Sequence, residues 1–328
     1  MLAGELAPGA TRPVGAGRRE TEEDPDPFRL CFERDLDRIK HSRPWRRLAG
    51  KCQVFIAPED DHLRTRLTHA VEVAQIAVSI ARPVGLCLSL TEAIALAHDC
   101  GHGPAGHASE EAFSPYLAGG YDHAVYGADV TLAPLNLCLE TLDGVRNHSW
   151  RRPAPSTPEG EAVAWADRIA YVCHDFEDAV RAGILTSADL PTEVADIVGI
   201  ERRAQLSSFV TAVLEGIDQT GQVAMGAPQA TALAAFRAFN FERIYLRPAA
   251  RQQAERVIAL LRGLVEYYVD APGRLPGHAT GVHFGLEPGG KETAAAAVRY
   301  VSGMTDRYAL GLGVELLGWR IDQLPRGV

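Results

Sequence analysis

Long apolar runs are absent from this chain of 328 residues. None reaches the roughly 18–20 residues that a bilayer-spanning helix needs, which excludes a membrane protein. The first residues also lack a charged start followed by an apolar stretch, so no signal peptide is visible and we expect a cytoplasmic protein. Basic residues are outnumbered, at 33 Lys and Arg against 42 Asp and Glu. The resulting net charge of −9 argues against a protein that coats nucleic acid.

Closely spaced cysteine pairs are absent as well. The six cysteines include no C-x-x-C pair, and none lies near a histidine at the spacing of a zinc finger. This pattern argues against a zinc-finger scaffold and against a disulfide framework. We expect reduced thiols, several of them buried.

Strand patterns are also scarce, because only Gln53–Ile56 and Val282–Phe284 resemble a short β-ribbon. Helical periodicity covers most of the remaining chain and predicts an all-α fold with at most that ribbon. Residues 1–27, rich in Gly, Pro, Glu and Arg, are predicted to be a flexible tail. A helical core is expected over 28–205, and a helical C-terminal extension packed on it over 206–328. The predicted helices are Leu67–Ala81, Thr91–Asp99, Leu132–Leu142, Glu161–Ala182, Leu206–Ile217, Ala230–Phe239, Arg251–Val269 and Lys291–Tyr308.

Residue types that bind metals recur on successive predicted helices. His69 lies inside one helix, His98 and Asp99 are adjacent at the end of the next, and Asp167 lies inside a later one. The glycine-rich break after Asp99 frees that residue from helical geometry, so both neighbours can reach one ion. Two imidazoles and two carboxylates form a mixed nitrogen and oxygen set that suits Mn²⁺, Mg²⁺, Fe²⁺, Ni²⁺ or Zn²⁺.

The segments around these residues resemble the HD-domain phosphohydrolases, and in particular their deoxynucleoside-triphosphate triphosphohydrolase (dGTPase-like) branch. The resemblance extends over roughly residues 28–310. It therefore implies an HD-domain helical core with additional C-terminal helices. The matching segments are His41–Phe55, Arg64–Gln75, Ala97–Glu110, Thr157–Asp178 and Tyr300–Ala309.

The resemblance implies roles for the residues that match the family's motifs. The metal ligands correspond to the set described above, His69, His98, Asp99 and Asp167. Four further residues match catalytic positions, and a histidine beside a metal can exchange a proton at neutral pH while a carboxylate orients it. The matching catalytic residues are the pair His107 and Glu110, together with His102 and His123.

Five residues match positions that contact the nucleotide in similar enzymes. Arg66 lies one helical turn before the first metal ligand, and its guanidinium can grip a phosphate with two bonds. Tyr171 and Asp175 follow Asp167 at i+4 and i+8 on one face of their helix. The resemblance places them at the sugar, with the carboxylate at the 3′-hydroxyl and the ring near the 2′ position. Gln53 matches a nucleoside contact and Arg168 a phosphate contact.

The activity implied by the resemblance is metal-dependent hydrolysis of (deoxy)nucleoside triphosphates at the α-phosphorus, which releases nucleoside and inorganic triphosphate. The expected cofactor is a divalent cation, Mn²⁺ or Mg²⁺ first, with Fe²⁺, Ni²⁺, Zn²⁺ or Co²⁺ as alternatives. The expected partners are a nucleotide substrate and further copies of the chain in a homo-oligomer. No membrane partner is expected, and nucleic acid is expected at most as an effector.

Two departures from the family pattern leave other substrates open. The family usually places Asn directly after His123 and Gln shortly after, where this chain has Ala124 and Val125, and it places Phe where Ala105 stands. One alternative is an HD-type phosphohydrolase for a monophosphate, an alarmone or a cyclic nucleotide. Another is a nucleotide sensor with weak catalysis. His174 is predicted to be structural, and His148 and His41 have no assigned role.

Overall fold

The computed structural model describes residues 6–58, 60–277 and 286–325. Over these residues the chain forms fourteen α-helices and no β-strand, which confirms the all-α prediction. The helices are α1 (Cys31–His41), α2 (Arg43–Arg47), α3 (Arg66–Ala81), α4 (Leu88–Ala97), α5 (His107–Phe113), α6 (His123–Tyr126), α7 (Leu139–Asn147), α8 (Pro158–Arg181), α9 (Thr192–Val198), α10 (Arg202–Thr220), α11 (Ala227–Asn240), α12 (Pro248–Asp270), α13 (Lys291–Ser302) and α14 (Asp306–Leu317).

Three helices, α3, α4 and α8, pack against one another at the centre of the molecule. Local sequence fixes where two of them begin. The Thr65 side chain accepts a hydrogen bond from the backbone of Thr68 at the start of α3, and Thr157 accepts one from Gly160 at the start of α8. Such N-caps satisfy backbone donors that the first helical turn leaves unpaired.

Buried apolar side chains form two clusters rather than one. The first combines α1, α3, α4 and α7 to α11, with Phe32, Ile94 and Phe209 among its fully buried members. The second combines α5 with α12, α13 and α14, around Phe113 and Leu264. The predicted C-terminal extension is therefore divided, because α10 and α11 belong to the first cluster and the later helices to the second.

Residues 6–27, predicted as part of a flexible tail, contact the helical core instead. The Arg19 guanidinium is buried and donates to Asp35 Oδ1 at 2.6 Å and to the Cys31 carbonyl at 3.0 Å. Thr11 donates through its hydroxyl to Glu159 Oε2 at 2.7 Å. A buried charge needs a partner of this kind. The composition of this segment does not predict these contacts, because each of them joins residues that are not neighbours in sequence.

Local breaks correct three further predictions. Gln53–Ile56 forms no strand, and the neighbouring Cys52 makes only an isolated bridge to Thr65. The helix predicted over 132–142 begins at Leu139, because Asn136 has a left-handed backbone with φ of +49°. The helix predicted over 291–308 is divided after Ser302, at Gly303. Val282–Phe284 lies outside the described residues.

All six cysteines are buried, and none forms a disulfide. Their burial agrees with the expectation of buried cysteines, and their reduced state stays a prediction. Among the helices that the structure describes, none has both the length and the apolar character needed to cross a membrane.

Candidate active site and metal centre

A cavity of about 690 Å³ opens between the two apolar clusters. All but two of the site residues predicted from the sequence line it. The exceptions are His98, which is buried just behind the wall, and Arg168. The lining residues are Gln53, Arg66, His69, Asp99, His102, His107, Glu110, His123, Asp167, Tyr171 and Asp175.

The four predicted metal ligands converge on the floor of this cavity. His69 comes from the first turn of α3, His98 and Asp99 follow the last turn of α4, and Asp167 lies in the middle of α8. His69 Nε2 lies 3.1 Å from Asp167 Oδ1, and His98 Nε2 lies 3.7 Å from the same oxygen and 3.5 Å from Asp99 Oδ1. Two groups of three side chains on the floor are close enough to hold a cation, and both include His98: one adds His69 and Asp99, the other adds His148 and Asp167.

The hydrogen bonds of His98 fit a metal ligand. Its Nδ1 donates to the Ala95 carbonyl at 2.7 Å, so its Nε2 carries the lone pair, and this buried Nε2 has no hydrogen-bonding partner. Burial raises the pKa of Asp167, but the hydrogen bond with His69 and the neighbouring histidines lower it to about 2. Burial also opposes ionisation of Asp99, yet Arg66 and two histidines hold its pKa well below the usual range. Two ionised carboxylates beside an unpaired imidazole nitrogen fit a divalent cation.

Arg66 and His102 stand beside Asp99. The Arg66 guanidinium is buried and donates to Asp99 Oδ2 at 2.7 Å, while His102 Nε2 lies 3.2 Å from Asp99 Oδ1. A Cβ at Gly106 would meet Arg66 Nη2 at only 2.4 Å, so this position requires glycine. Burial, together with the charge of Arg66, lowers the pKa of His102 well below its usual range. His102 is therefore a neutral imidazole beside the arginine.

Glu110 contacts two of the predicted catalytic histidines. Its Oε1 forms a short hydrogen bond with His123 Nδ1 and lies 3.5 Å from His107 Nδ1. His123 is buried and stacks on His102 at a centroid distance of 3.8 Å, whereas the His107 side chain is 74% exposed. Burial lowers the pKa of His123, but Glu110 raises it by more. The structure thus brings the predicted pair together and adds His123 as the closer partner of the carboxylate.

His148, left without a role by the sequence, lies in the same group. Its Nε2 is 3.3 Å from His123 Nε2, and its Nδ1 donates to the Val145 carbonyl at 2.7 Å. His148 lies close enough to Asp99 and to Asp167 for its ring nitrogen to share a metal ion with either carboxylate. Burial and the neighbouring histidines lower its pKa to about 3. No sequence signal marks it, because it follows a helix that carries no other site residue.

The opposite wall pairs Tyr171 and Asp175 with residues of the C-terminal half. Arg237 Nε donates to the Tyr171 hydroxyl at 2.8 Å, and the Tyr245 hydroxyl donates to Asp175 Oδ2 through a short bond. The second carboxylate oxygen, Asp175 Oδ1, is buried without a partner. Burial raises the pKa of Asp175 to about 7. The sequence did not predict Arg237 or Tyr245 as partners, although Arg237, Phe241 and Tyr245 recur at a spacing of four residues.

The two remaining predicted contacts differ in their placement. Gln53 lines the cavity, and its buried side-chain oxygen has no hydrogen-bonding partner. Arg168 does not line it; its guanidinium lies 4.3 Å over the ring of Trp150, which does. Arg168 therefore supports an aromatic wall instead of facing a phosphate. Of the departures from the family pattern, Ala105 lines the cavity and Ala124 is buried away from it.

His174, predicted to be structural, stays away from the floor. It is buried on α8, and its Nδ1 lies 3.4 Å from Glu72 Oε2. Burial and the charge of Arg64 lower its pKa to about 2, so it is neutral.

Comparison with known proteins supports the likeness inferred from the motifs. Residues 66–172 match the model of the HD domain, and residues 223–313 match that of the phosphohydrolase-associated domain. A deoxyguanosinetriphosphate triphosphohydrolase-like protein of Caldanaerobacter subterraneus is 40% identical over 93% of this chain and 90% of its own. The chain belongs to this family of HD-domain proteins.

Two further relatives and one solved structure share a smaller fraction of identical residues with this chain. A deoxyguanosinetriphosphate triphosphohydrolase-like protein of Clostridium perfringens is 36% identical over 88% of this chain and 87% of its own. One from Paracoccus denitrificans is 32% identical over 95% and 100%. A solved structure of a hypothetical protein from Aquifex aeolicus is 17% identical, with a TM-score of 0.47, and covers 70% of this chain and 60% of that one.

Proposed function

We propose that this protein is a metal-dependent triphosphohydrolase that cleaves (deoxy)nucleoside triphosphates at the α-phosphorus into nucleoside and inorganic triphosphate. The observation that carries the proposal is the arrangement of one cavity. The cavity has a floor of residues that could hold a cation. On one side of the floor lie Arg66 and the histidines of the loop, and on the other side lie Tyr171 and the unpaired oxygen of Asp175. A nucleotide needs these three environments for its α-phosphate, its terminal phosphates and its sugar. The relatives' names agree with this substrate class.

The floor residues would hold a divalent cation, with Mn²⁺ or Mg²⁺ proposed and Fe²⁺, Ni²⁺, Zn²⁺ or Co²⁺ as alternatives. Such an ion neutralises phosphate charge and lowers the pKa of a bound water. The carboxylates of Asp99 and Asp167 are already ionised, so the ion need not displace a proton from either. His69 and His98 supply the nitrogen ligands.

Positive charge at the cavity gives a polyanion a binding site in a protein of net charge −9. Arg66 stands beside the floor, and Arg151 and Arg247 also line the cavity. Since guanidinium groups bind phosphate oxygens in pairs, we assign these three to the phosphates. A local basic cluster attracts the substrate even where the overall field repels it.

Glu110, His123 and His107 are the proposed proton-transfer group. The leaving 5′-oxygen of the nucleoside must gain a proton, and the attacking water must lose one. Glu110 bonds His123 Nδ1 and lies near His107 Nδ1, so the carboxylate can orient either imidazole for proton transfer. His107 is the exposed member and is therefore the one assigned to exchange protons with the substrate.

Asp175 and Tyr171 are the proposed sugar contacts. Asp175 Oδ1 has no partner, so it can accept a hydrogen bond from a 3′-hydroxyl, while Tyr245 holds the other oxygen. The Tyr171 ring is held by Arg237 and lines the same wall, where a 2′-hydroxyl would crowd it. This arrangement supports a preference for deoxyribose.

The proposal is tested by incubating the purified protein with Mn²⁺ or Mg²⁺ and each of the common dNTPs and NTPs, and resolving the products by ion exchange. Nucleoside plus inorganic triphosphate is the expected result. Orthophosphate or pyrophosphate would contradict attack at the α-phosphorus. If the protein hydrolyses only monophosphates, alarmones or cyclic nucleotides, its substrate is one of these and not a triphosphate. We also propose a homo-oligomer, which light scattering of the same sample would test.

A further inference from the structure

Two buried side chains, Lys51 and Asp306, connect the C-terminal helices to the segment before Gln53 and to the loop that begins at His102. Lys51 Nζ donates to the Ser302 carbonyl at 2.9 Å and, through a short bond, to the His102 carbonyl. In return, Asp306 accepts hydrogen bonds from the backbone N–H of Cys52 and of Ala105, both at 2.8 Å. Lys51 is 3% exposed and Asp306 8%. We call these two residues the Lys51–Asp306 clamp.

The clamp holds the loop that carries the active-site histidines. This loop runs from His102 to Gly106 and ends where α5 begins at His107. Ala105 and Gly106 have φ of +58° and +61°, and an L residue such as Ala105 rarely adopts that conformation. The clamp bonds the carbonyl at the start of the loop and the N–H of its strained residue. Without it, both buried backbone groups would lose a partner.

Both side chains of the clamp lie at helix ends, and burial lowers the pKa of Lys51 to about 7. Lys51 bonds the carbonyl of Ser302, the last residue of α13, and Asp306 is the first residue of α14. A cation is stabilised at a helix C-terminus and an anion at an N-terminus. A Cβ at Gly50 would lie 2.7 Å from Thr305 Cγ2, so the two segments already touch. The turn at 303–305 is thereby fixed against the segment that leads to Gln53 in the cavity wall.

We propose that Asp306 and Lys51 are positioning residues that set the geometry of His102 and His107 through the loop between them. The C-terminal helices then contribute to catalysis through a bond network and not only through packing. This inference rests on the proposed function, since it assigns the loop histidines to that reaction. It also gives a role to the Tyr300–Ala309 segment, which contributes no residue to the lining of the cavity.

Asp306→Asn tests the inference because it preserves shape while removing one of the two acceptors. We expect kcat to fall by about 10²-fold, since small displacements of catalytic groups have that effect. KM should change by less than about threefold and bound metal should stay unchanged, because Arg66, Tyr171 and the floor are not touched. Lys51→Met should behave in the same way. Glu292→Gln, an exposed carboxylate in the first turn of α13, is the matched control and should keep the wild-type kcat.

Hydrogen exchange in the full-length protein gives a readout that does not depend on turnover. In Asp306→Asn, the peptide over 102–110 should exchange at least about tenfold faster while peptides of α3, α4 and α8 keep their protection. Unchanged kcat or unchanged exchange over 102–110 would overturn the inference. Loss of metal or faster exchange throughout the chain would overturn it too, since either indicates general destabilisation. Failure of the proposed function would instead appear as absent turnover in the wild type.

Discussion

The floor of the cavity and the wall formed by Tyr171 and Asp175 differ in how far apart in sequence their residues lie. The floor is built from α3, α4 and α8, which pack together within one apolar cluster and carry its ligands in chain order. That wall joins α8 to α11 and to the segment directly after it, through Tyr171 with Arg237 and Asp175 with Tyr245. The pKa values of the floor carboxylates Asp99 and Asp167 are lowered by their neighbours, whereas burial raises the pKa of Asp175 to about 7.

We therefore expect the floor and the wall to contribute to different steps of the reaction. The floor depends on a fixed set of donors, so the loss of one donor should abolish the chemistry. The wall depends on pairs of side chains in which only one member faces the substrate, so its loss should change selectivity and affinity. Substitutions in the two regions should therefore have effects of different kind as well as different size.

Asp167→Ala should have the largest effect. It removes a shared neighbour of His69 and His98 on the floor. We expect bound metal to be lost and turnover to fall by more than about 10⁴-fold, because the cation's effect on water and phosphate disappears with it. Metal content by mass spectrometry and turnover are measured together. Asp196→Ala, an exposed aspartate of α9, should change neither; activity retained in metal-free Asp167→Ala would contradict the role of the floor.

His107→Ala separates proton transfer from metal binding. We expect turnover to fall by about 10²–10⁴-fold while metal content stays at the wild-type level, because His107 is exposed and contacts Glu110 rather than the floor. His62→Ala, an exposed histidine far in sequence from this group, is the control. Wild-type turnover in His107→Ala would transfer the proton role to His123.

Tyr171→Ala should change selectivity more than rate. We expect the preference for dNTPs over NTPs, measured as a ratio of kcat/KM values, to fall by at least about tenfold, because the ring no longer crowds the 2′ position. Tyr171→Phe keeps the ring and loses only the hydroxyl that accepts from Arg237, so it should retain most of the preference. Equal selectivity in wild type and Tyr171→Ala would remove this residue from the sugar site.

Asp175→Asn should have the smallest effect and should appear in stability. The unfolded carboxyl loses its proton near its ordinary pKa of 3.8, while the native one keeps it until about pH 7. The free energy of unfolding of the wild type therefore decreases between these values, since the native state binds more protons. The Tm advantage of Asp175→Asn should grow by roughly 5 °C from pH 4 to pH 7 and then stay constant.

The exposed Asp196→Asn provides the control for this titration, and its Tm difference from the wild type should not vary with pH. A pH-independent difference for Asp175→Asn would show that burial does not raise the pKa of Asp175 in the native protein.

The fold class and the floor could be predicted from the sequence because both depend on local patterns. Helical periodicity predicted α3 and α8, and the ordered residue types predicted that His69, His98, Asp99 and Asp167 lie close together. Helix boundaries were predicted less well where the backbone conformation of one residue ends or delays a helix, as at Asn136 and Gly303.

The partners of these residues could not be predicted in the same way. Arg237 and Tyr245 lie more than 60 residues beyond the side chains that they hold, and Asp306 lies about 200 residues beyond Ala105. Arg19, in a segment predicted to be flexible, bonds Asp35 and Asn136 across the core. Local periodicity contains no information on which distant helix packs against which. Only the folded structure shows these pairings.

The position of attack on the substrate is the most direct test of the account. The protein would be incubated with Mn²⁺ and its best dNTP in ¹⁸O-labelled water, and the products analysed by mass spectrometry. Attack by water on the α-phosphorus with departure of the 5′-oxygen predicts unlabelled nucleoside and inorganic triphosphate that carries one ¹⁸O. Label in the nucleoside, or in orthophosphate or pyrophosphate formed without triphosphate, would contradict the account.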